Sequence, residues 1–147
     1  MSIKNVVVVG GGVLGSQIAY QTAYAGFHTT IYLRSEASIE RARPKVDRLH
    51  AIYVAELTAA KANPGAPVSR GLVFNAADTA AVNYDELLAR AEKAYQELGY
   101  STDLAAAVND ADLIIEALAE DPKAKTAFYQ QLQPLLPEKT ILATNSS

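Results

Sequence analysis

Three glycines near the start of the chain have the spacing of a pyrophosphate-binding turn. Gly10, Gly12 and Gly15 fill the three positions of G-x-G-x-x-G directly after an apolar run at residues 5–9. Four consecutive valines in that run predict a strand buried on both faces, and the segment after the glycines predicts a helix. The first glycine permits the turn, the second admits a phosphate close to the backbone, and the third lets the helix pack on the strand. The free N–H groups of the helix then face the anion.

Not every turn of this kind binds a ligand, and a tight strand-to-helix turn without a ligand is the alternative. The position of the motif between a strand and a helix favours a dinucleotide. The predicted contacts of that dinucleotide are with Gly10, Gly12, Val13, Leu14 and Gly15. The helix is expected to span about residues 12–25, with Leu14 among the side chains that fill the space beside its small-residue stripe.

The end of the second predicted strand, at residues 29–32, bears on which dinucleotide binds. Leu33 stands where such folds normally carry the Asp or Glu that accepts hydrogen bonds from the ribose hydroxyls. Arg34 can pair with a ribose 2′-phosphate, and Ser35 can add a hydrogen bond. The alternative is that Arg34 is an exposed charge and Ser35 is the N-cap of the next helix. Both NAD and NADP therefore stay open as cofactors.

Composition limits the class of protein. The 147 residues suit one domain, contain no cysteine, and carry 13 Lys and Arg against 16 Asp and Glu, for a net charge of −3. No basic face is expected for nucleic acid, and no apolar run is long enough for a membrane span. We therefore expect a soluble cytoplasmic protein whose partner is a small molecule.

A helical insertion at about residues 38–98 separates the second and third strands. Pro44 is predicted to break or bend its first part, after which apolar residues continue at helical spacing to Ala60. A Pro/Gly-rich loop follows, and a further helix is predicted with Asn83 as its cap and Gly99 as its closing residue. This insertion is longer than an ordinary crossover.

The remaining sequence alternates strands and helices. Strands are predicted at residues 100–102, 113–117 and 140–144, and a helix begins at Asp121 and Pro122 with Ala124 on its buried side. This pattern predicts an α/β fold with a doubly wound parallel sheet (Rossmann) of order 3-2-1-4-5. Ligands bind such sheets at the carboxyl ends of the strands. The segments expected along that rim are residues 10–15, 33–35, 117–120, including Ala117, and 145–147.

Four motifs occur in order along the chain. They are Val-Gly-Gly-Gly-Val-Leu-Gly-Ser at 9–16, Ser-Thr-Asp-Leu at 101–104, Asp-Ala-Asp-Leu-Ile-Ile-Glu-Ala at 110–117 and Leu-Ala-Thr-Asn-Ser-Ser at 142–147. Together they resemble the NAD-binding domain of the 3-hydroxyacyl-CoA dehydrogenases, well at both ends of the chain and less in the middle. The resemblance implies hydride transfer between a nicotinamide cofactor and the 3-hydroxy group of an acyl-CoA or of a 3-hydroxy acid, by a protein that is a homodimer at full length.

Particular positions acquire roles through this resemblance. Glu120 and Lys125 fall where the family contacts the nicotinamide ribose, and Asn145 falls on a further polar position of the cofactor site. Ser147 falls on the serine that hydrogen-bonds the substrate oxygen, so it is the candidate catalytic residue. The alternatives are an exposed ion pair at a helix start for the first two and an ordinary polar loop for residues 145–147.

The sequence also departs from the family. The family's general base is a histidine that follows the Asn-Ser-Ser motif, whereas this chain ends at Ser147, and neither His28 nor His50 suits that role. We therefore expect a domain that is inactive alone and belongs with a helical substrate and dimerisation domain, or a non-catalytic dinucleotide-binding module. The serine and lysine that the family uses for coenzyme A align with Leu49 and Glu56. An NADP-dependent keto-acid or imine reductase of the same fold therefore stays open.

Overall fold

The computed structural model describes residues 2–69, 71–74 and 82–144. Strands and helices alternate along most of the chain, and two long helices follow one another between the second and third strands. The elements are β1 (Asn5–Val9), α1 (Val13–Tyr24), β2 (His28–Tyr32), α2 (Glu36–Ala62), α3 (Tyr84–Glu97), β3 (Gly99–Ser101), α4 (Leu104–Val108), β4 (Leu113–Glu116), α5 (Pro122–Leu132) with a 3₁₀ turn (Gln133–Leu135), and β5 (Ile141–Thr144).

The five strands form one parallel sheet in the order β3-β2-β1-β4-β5, which confirms the predicted doubly wound topology. β1 lies at the centre, and its valines point alternately to the two faces. Val6 and Val8 pack in the core beneath α1, α2 and α3, whereas Val7 and Val9 pack with residues of α4 and α5 on the other face. All four valines are at most 2% exposed. Burying each one contributes about 1.5–3 kcal/mol, so this strand anchors both cores.

The helix α1 packs its small residues on the sheet. Gly15 and Ala19 are buried, as predicted. The prediction that Leu14 fills a gap beside this stripe is wrong, because Leu14 is 49% exposed and Val13 is 66% exposed. Both belong to the first turn of the helix, which lies above the end of the sheet rather than over its face.

The sequence predicts that Pro44 breaks or bends the helix after β2. The helix α2 runs without interruption through Pro44, so a break is wrong. Proline inside a helix removes one hydrogen bond and costs about 3 kcal/mol. The adjacent residues Ala42 and Val46 are fully buried, and this packing offsets the cost. Pro44 and Glu40 are both exposed, so water can hydrate the Glu40 carbonyl that loses its N–H partner.

One further boundary and the burial of one residue differ from the predictions. Gly99 is the first residue of β3 rather than the end of α3, because α3 already ends at Glu97. Leu98 is its C-cap, and the Leu98 N–H donates to the Ala94 carbonyl. Ala124 is exposed on α5, and only Phe128 and Leu132 of that helix are buried. The predicted cap at Asn83 is confirmed, since its side chain accepts a hydrogen bond from the Glu86 N–H at 3.1 Å.

None of the helices in the described ranges is long and apolar enough to cross a membrane.

The carboxylate of Asp112, just before β4, joins the amino end of this strand to that of β1 and to the residues before β5. Its Oδ2 accepts hydrogen bonds from the N–H groups of Lys4 and Asn5, both at 2.9 Å, and its Oδ1 lies 3.0 Å from the Lys139 ammonium. These donors lower the pKa of Asp112 from 3.8 to about 2, with the two backbone N–H groups as the main cause. The negative charge of Asp112 therefore stabilises the folded state.

We expect Asp112→Asn to lower the melting temperature at neutral pH and to weaken its dependence on acid. The pKa of Asp112 is lower in the folded chain than in the unfolded chain. The carboxylate therefore stabilises the fold above about pH 4, and this contribution is lost as the pH falls towards about 2. Thermal melts between pH 2 and pH 7 measure both effects. An unchanged slope in the variant over pH 2–4 would contradict this account.

Candidate functional site

The carboxyl ends of the three inner strands and of β5 lie side by side. Val9 at the end of β1 is in register with Tyr32 of β2 and with Glu116 of β4, and Glu116 is in register with Thr144 of β5. The segments that follow these strands therefore share one rim of the sheet. We call it the carboxyl rim, defined by the ends of β2, β1, β4 and β5.

The glycine turn is packed too tightly to hold side chains at two of its three motif glycines, Gly10 and Gly15. Gly10 has φ +110, and a Cβ there would lie 2.7 Å from the Ala117 carbonyl oxygen. A Cβ at Gly15 would overlap the Gly10 carbonyl oxygen. The turn is further fixed by the Gly10 N–H, which donates to the Tyr32 carbonyl at 3.1 Å. These contacts bring the start of α1 directly against the end of β1.

The second glycine of the motif, Gly12, faces open space. A Cβ at Gly12 would meet no atom within 4 Å, and Gly12 is the N-cap of α1 without a side-chain hydrogen bond. The other α-helices of the described chain all have side-chain caps, and these are Ser35, Asn83, Asp103 and Asp121. The first turn of α1 also carries no acidic residue. An uncapped helix start beside an open glycine fits a pyrophosphate, because the backbone N–H groups can donate to it.

The residues after β2 lie next to this turn but differ in what they offer. Leu33 is 5% exposed, and its side chain packs beneath Gly11, so a ligand could reach it only through its backbone. Ser35 caps α2, accepting a hydrogen bond from the Ser38 N–H at 3.2 Å. The alternative role predicted for Ser35, as the N-cap of the helix after β2, is therefore confirmed. Arg34 is exposed.

Two basic residues near the turn were missed by the sequence analysis. The Lys45 ammonium donates to the Gly11 carbonyl at 3.4 Å, and Arg41 Nη2 donates to Ser38 Oγ at 2.9 Å. Positions 41 and 45 are one helical turn apart, so the pair could have been found from its spacing. The prediction that Pro44 interrupts the helix concealed it.

On the other side of the glycine turn, the structure brings Glu120 and Lys125 together. The Lys125 ammonium lies 3.4 Å from Glu120 Oε2 and 3.9 Å from Glu116 Oε1. The Lys125 side chain is 16% exposed and that of Glu120 is 62% exposed. Lys125 is thus partly buried at the carboxyl rim, and Glu120 lies on its solvent side.

Glu116 organises this part of the rim, although the sequence analysis gave it no role. It is 1% exposed and accepts hydrogen bonds from the Leu118 N–H at 2.7 Å, the Thr144 hydroxyl at 2.8 Å and the Tyr129 hydroxyl at 3.1 Å. Burial and the Glu116 carboxylate raise the pKa of Tyr129, so this phenol remains a donor. The sequence did contain a signal for this role, because Glu116 is a carboxylate at the end of an otherwise apolar strand.

Asn145 and Ser147 lie outside the described residues. The preceding residue, Thr144, is in register with Glu116 at the carboxyl rim. The two histidines lie elsewhere. His28 begins β2 at the opposite end of the sheet, opposite Asn5, and His50 contacts Glu92 at 3.1 Å and the Tyr20 hydroxyl at 3.0 Å, between helices.

Comparison with known proteins agrees with this geometry. The model of the family described as 3-hydroxyacyl-CoA dehydrogenase, NAD binding domain, matches residues 5–88 and 85–147. The rat mitochondrial hydroxyacyl-coenzyme A dehydrogenase is 30% identical over 146 residues, which are 99% of this chain and 39% of that protein. A probable 3-hydroxybutyryl-CoA dehydrogenase of Bacillus subtilis is 30% identical over 147 residues, covering 100% of this chain and 42% of that protein.

Solved structures give the same result. A diketoreductase, reported for dual catalysis of dicarbonyl compounds, has a TM-score of 0.76 and 41% identity and covers 100% of this chain and 43% of its own. The 3-hydroxybutyryl-CoA dehydrogenase of Escherichia coli has a TM-score of 0.72 and 27% identity, covering 100% of this chain and 25% of its own. The chain spans about two-fifths of the length of the first curated relatives. It belongs to the 3-hydroxyacyl-CoA dehydrogenase family, as an example of its NAD-binding domain.

Proposed function

We propose that this domain binds NAD or NADP along the carboxyl rim and serves a dehydrogenase that moves a hydride between the nicotinamide and a 3-hydroxy or 3-keto acyl substrate. The observation that carries the proposal is the uncapped first turn of α1 beside the open Gly12. Nicotinamide cofactors supply the hydride chemistry, and the protein binds and orients them.

The pyrophosphate would be held by the backbone between Gly10 and Gly15, including Val13 and Leu14. Both residues are exposed and lie in the first turn of α1, where backbone N–H groups have no acceptor within the helix. The adenosine end would lie towards Leu33, Arg34 and Ser35, because these follow β2 next to the turn.

The nicotinamide end would lie towards β4 and β5. Ala117 lies beside Gly10, and Lys125 with Glu120 can hydrogen-bond the ribose hydroxyls. Asn145 and Ser147 are proposed to follow this line, with Ser147 orienting the reacting oxygen of the substrate. Thr144, the residue before Asn145, is held at the carboxyl rim by the hydrogen bond from its hydroxyl to the buried Glu116.

A substrate without coenzyme A is the second candidate. Glu56 stands where the resemblance expects a coenzyme A-binding lysine, and its Oε1 accepts hydrogen bonds from both the N–H and the hydroxyl of Ser69. A carboxylate there would repel coenzyme A phosphates rather than bind them. The 41% identity to a diketoreductase also supports a free dicarbonyl or 3-hydroxy acid. Assays of a longer protein containing this domain, with acetoacetyl-CoA against free keto acids, separate the two.

The wider setting of the domain is inferred from the family resemblance and from the composition of the chain. We infer that catalysis requires a histidine from a further domain, that the whole protein is a homodimer, and that it is cytoplasmic. The rat relative is named as mitochondrial, so location needs its own test by fractionation. A non-catalytic module and an imine reductase remain alternatives. Activity of the longer protein on 3-hydroxy substrates would exclude both.

We expect the chain to bind reduced nicotinamide dinucleotide, because the cleft is built from backbone donors that need no further domain. Titration of NADH and NADPH, followed by the fluorescence of the cofactor, measures this. Absence of binding by either at millimolar concentration would refute the proposal.

Two glycine variants should separate binding from folding. Gly12→Ala should keep the melting temperature, since its Cβ meets nothing within 4 Å, and should weaken cofactor binding about tenfold or more by filling the cleft. Gly15→Ala should destabilise the fold by about 1–3 kcal/mol, because its methyl group overlaps the Gly10 carbonyl. Thermal melts and titrations of both variants test this. Unchanged cofactor affinity in Gly12→Ala would place the pyrophosphate elsewhere.

Lys125→Met should weaken cofactor binding about tenfold, which is the cost of one hydrogen bond from a charged donor. Lys123→Met is the matched control, because Lys123 is exposed on the same helix turn. Equal affinity of both variants in the NADH titration would remove Lys125 from the cofactor site.

A further inference from the structure

We propose that Arg41 and Lys45, together with Arg34 and the hydroxyls of Ser35 and Ser38, form a binding site for the 2′-phosphate of NADP. This inference rests on the proposed function, since it assumes a dinucleotide along the carboxyl rim. It commits the domain to NADP over NAD, and it assigns the selectivity mainly to the first three turns of α2.

The first observation is a chain of polar side chains at the start of α2. Arg41 Nη2 donates to Ser38 Oγ at 2.9 Å, and Ser38 Oγ lies 3.0 Å from Ser35 Oγ. These contacts hold the guanidinium over the first turn of α2, immediately after β2. The adenosine ribose of a bound dinucleotide lies at the end of this strand.

The second observation is the reach of Lys45 to the glycine turn. Its ammonium lies 3.4 Å from the Gly11 carbonyl, and the α2 backbone is close there because Ala42 packs against Gly11. Gly11 is the residue between the first two glycines of the motif. An ammonium group at this point lies between the pyrophosphate turn and the end of β2, so it can approach a phosphate on the ribose.

The third observation is the distribution of acidic groups. Leu33 is apolar and buried at the position of the ribose-binding carboxylate, so this position offers no negative charge to repel a 2′-phosphate. The acidic residues early in α2 are Glu36 and Glu40, each two positions from Ser38. Two positions correspond to about 200° around a helix, so both lie on the side opposite to Ser38, and both are exposed.

The side chains, rather than the helix terminus, make this site. The Ser38 N–H is already bonded to Ser35 Oγ, so part of the helix start is satisfied within the protein. A phosphate would accept hydrogen bonds from the guanidinium groups of Arg34 and Arg41, an arrangement for which arginine is well suited.

Calorimetric titration of the 147-residue chain with adenosine 2′,5′-bisphosphate and with AMP, which differ only in the 2′-phosphate, isolates the contribution of that phosphate. NADPH and NADH are titrated in parallel. We expect the 2′-phosphorylated ligands to bind at least about tenfold more tightly than the ligands without this phosphate. This preference should decrease as salt is raised from about 20 mM to about 300 mM, because the Debye screening length falls from roughly 20 Å to roughly 6 Å.

The variants are Arg41→Ala and Lys45→Ala, with Lys93→Ala as the matched control. Lys93 is an exposed cation on α3 that pairs with Glu97 at 3.8 Å. It lies near Gly26 and His28 at the start of β2, away from the carboxyl rim. Each test variant should lose about tenfold in affinity for the 2′-phosphorylated ligands while keeping its affinity for AMP and NADH, and the control should lose neither. Circular dichroism melts verify that the variants are folded.

The outcomes are distinct. Selective loss in both test variants supports the 2′-phosphate site. Equal affinity for NADPH and NADH, or an equal loss for both in the variants, overturns it while leaving dinucleotide binding intact. No binding of any of the four ligands overturns the proposed function and this inference together.

Discussion

The fold and the site both depend on the contact between the end of β1 and the start of α1. The Gly10 carbonyl and the Gly15 Cα are so close that no Cβ fits between them, and Gly10 itself adopts a positive φ against the Ala117 carbonyl. This contact fixes where α1 begins, and therefore where its free N–H groups point. The buried valines of β1 hold the strand in the centre of the sheet, so the turn cannot shift without disturbing both cores.

Much of this arrangement could be predicted from the sequence because it follows from local patterns. The run of valines, the glycine spacing and the strand-helix alternation indicated a parallel sheet and its strand order, and both are confirmed. Pro44 shows the limit of local rules. The cost of proline is local, whereas the packing of Ala42 and Val46 that offsets it comes from other parts of the chain. Leu14 shows a second limit, since its spacing fits the packed face although its turn projects beyond the sheet.

The candidate site was less predictable than the fold. The glycine turn carries its own signal, but Glu116, Arg41 and Lys45 acquire their positions only through tertiary contacts. Glu116 lies at the end of β4, and its partners come from residues 118, 129 and 144. Lys45 approaches Gly11 from 34 residues away. For such residues the sequence gives the type of side chain, but its neighbours depend on the register of the sheet and the direction of α2.

The two sides of the glycine turn differ in charge, and this difference gives the carboxyl rim a direction. Arg34, Arg41 and Lys45 lie on the β2 side, whereas Glu116 and Glu120 lie with Lys125 on the β4 side. A dinucleotide is itself asymmetric, because the adenosine end can bear an extra phosphate and the oxidised nicotinamide ring is a cation. Phosphates are favoured near the basic groups and the cationic ring near the carboxylates. In the proposed complex, the flanking charges would therefore favour the adenosine end on the β2 side and the nicotinamide end on the β4 side.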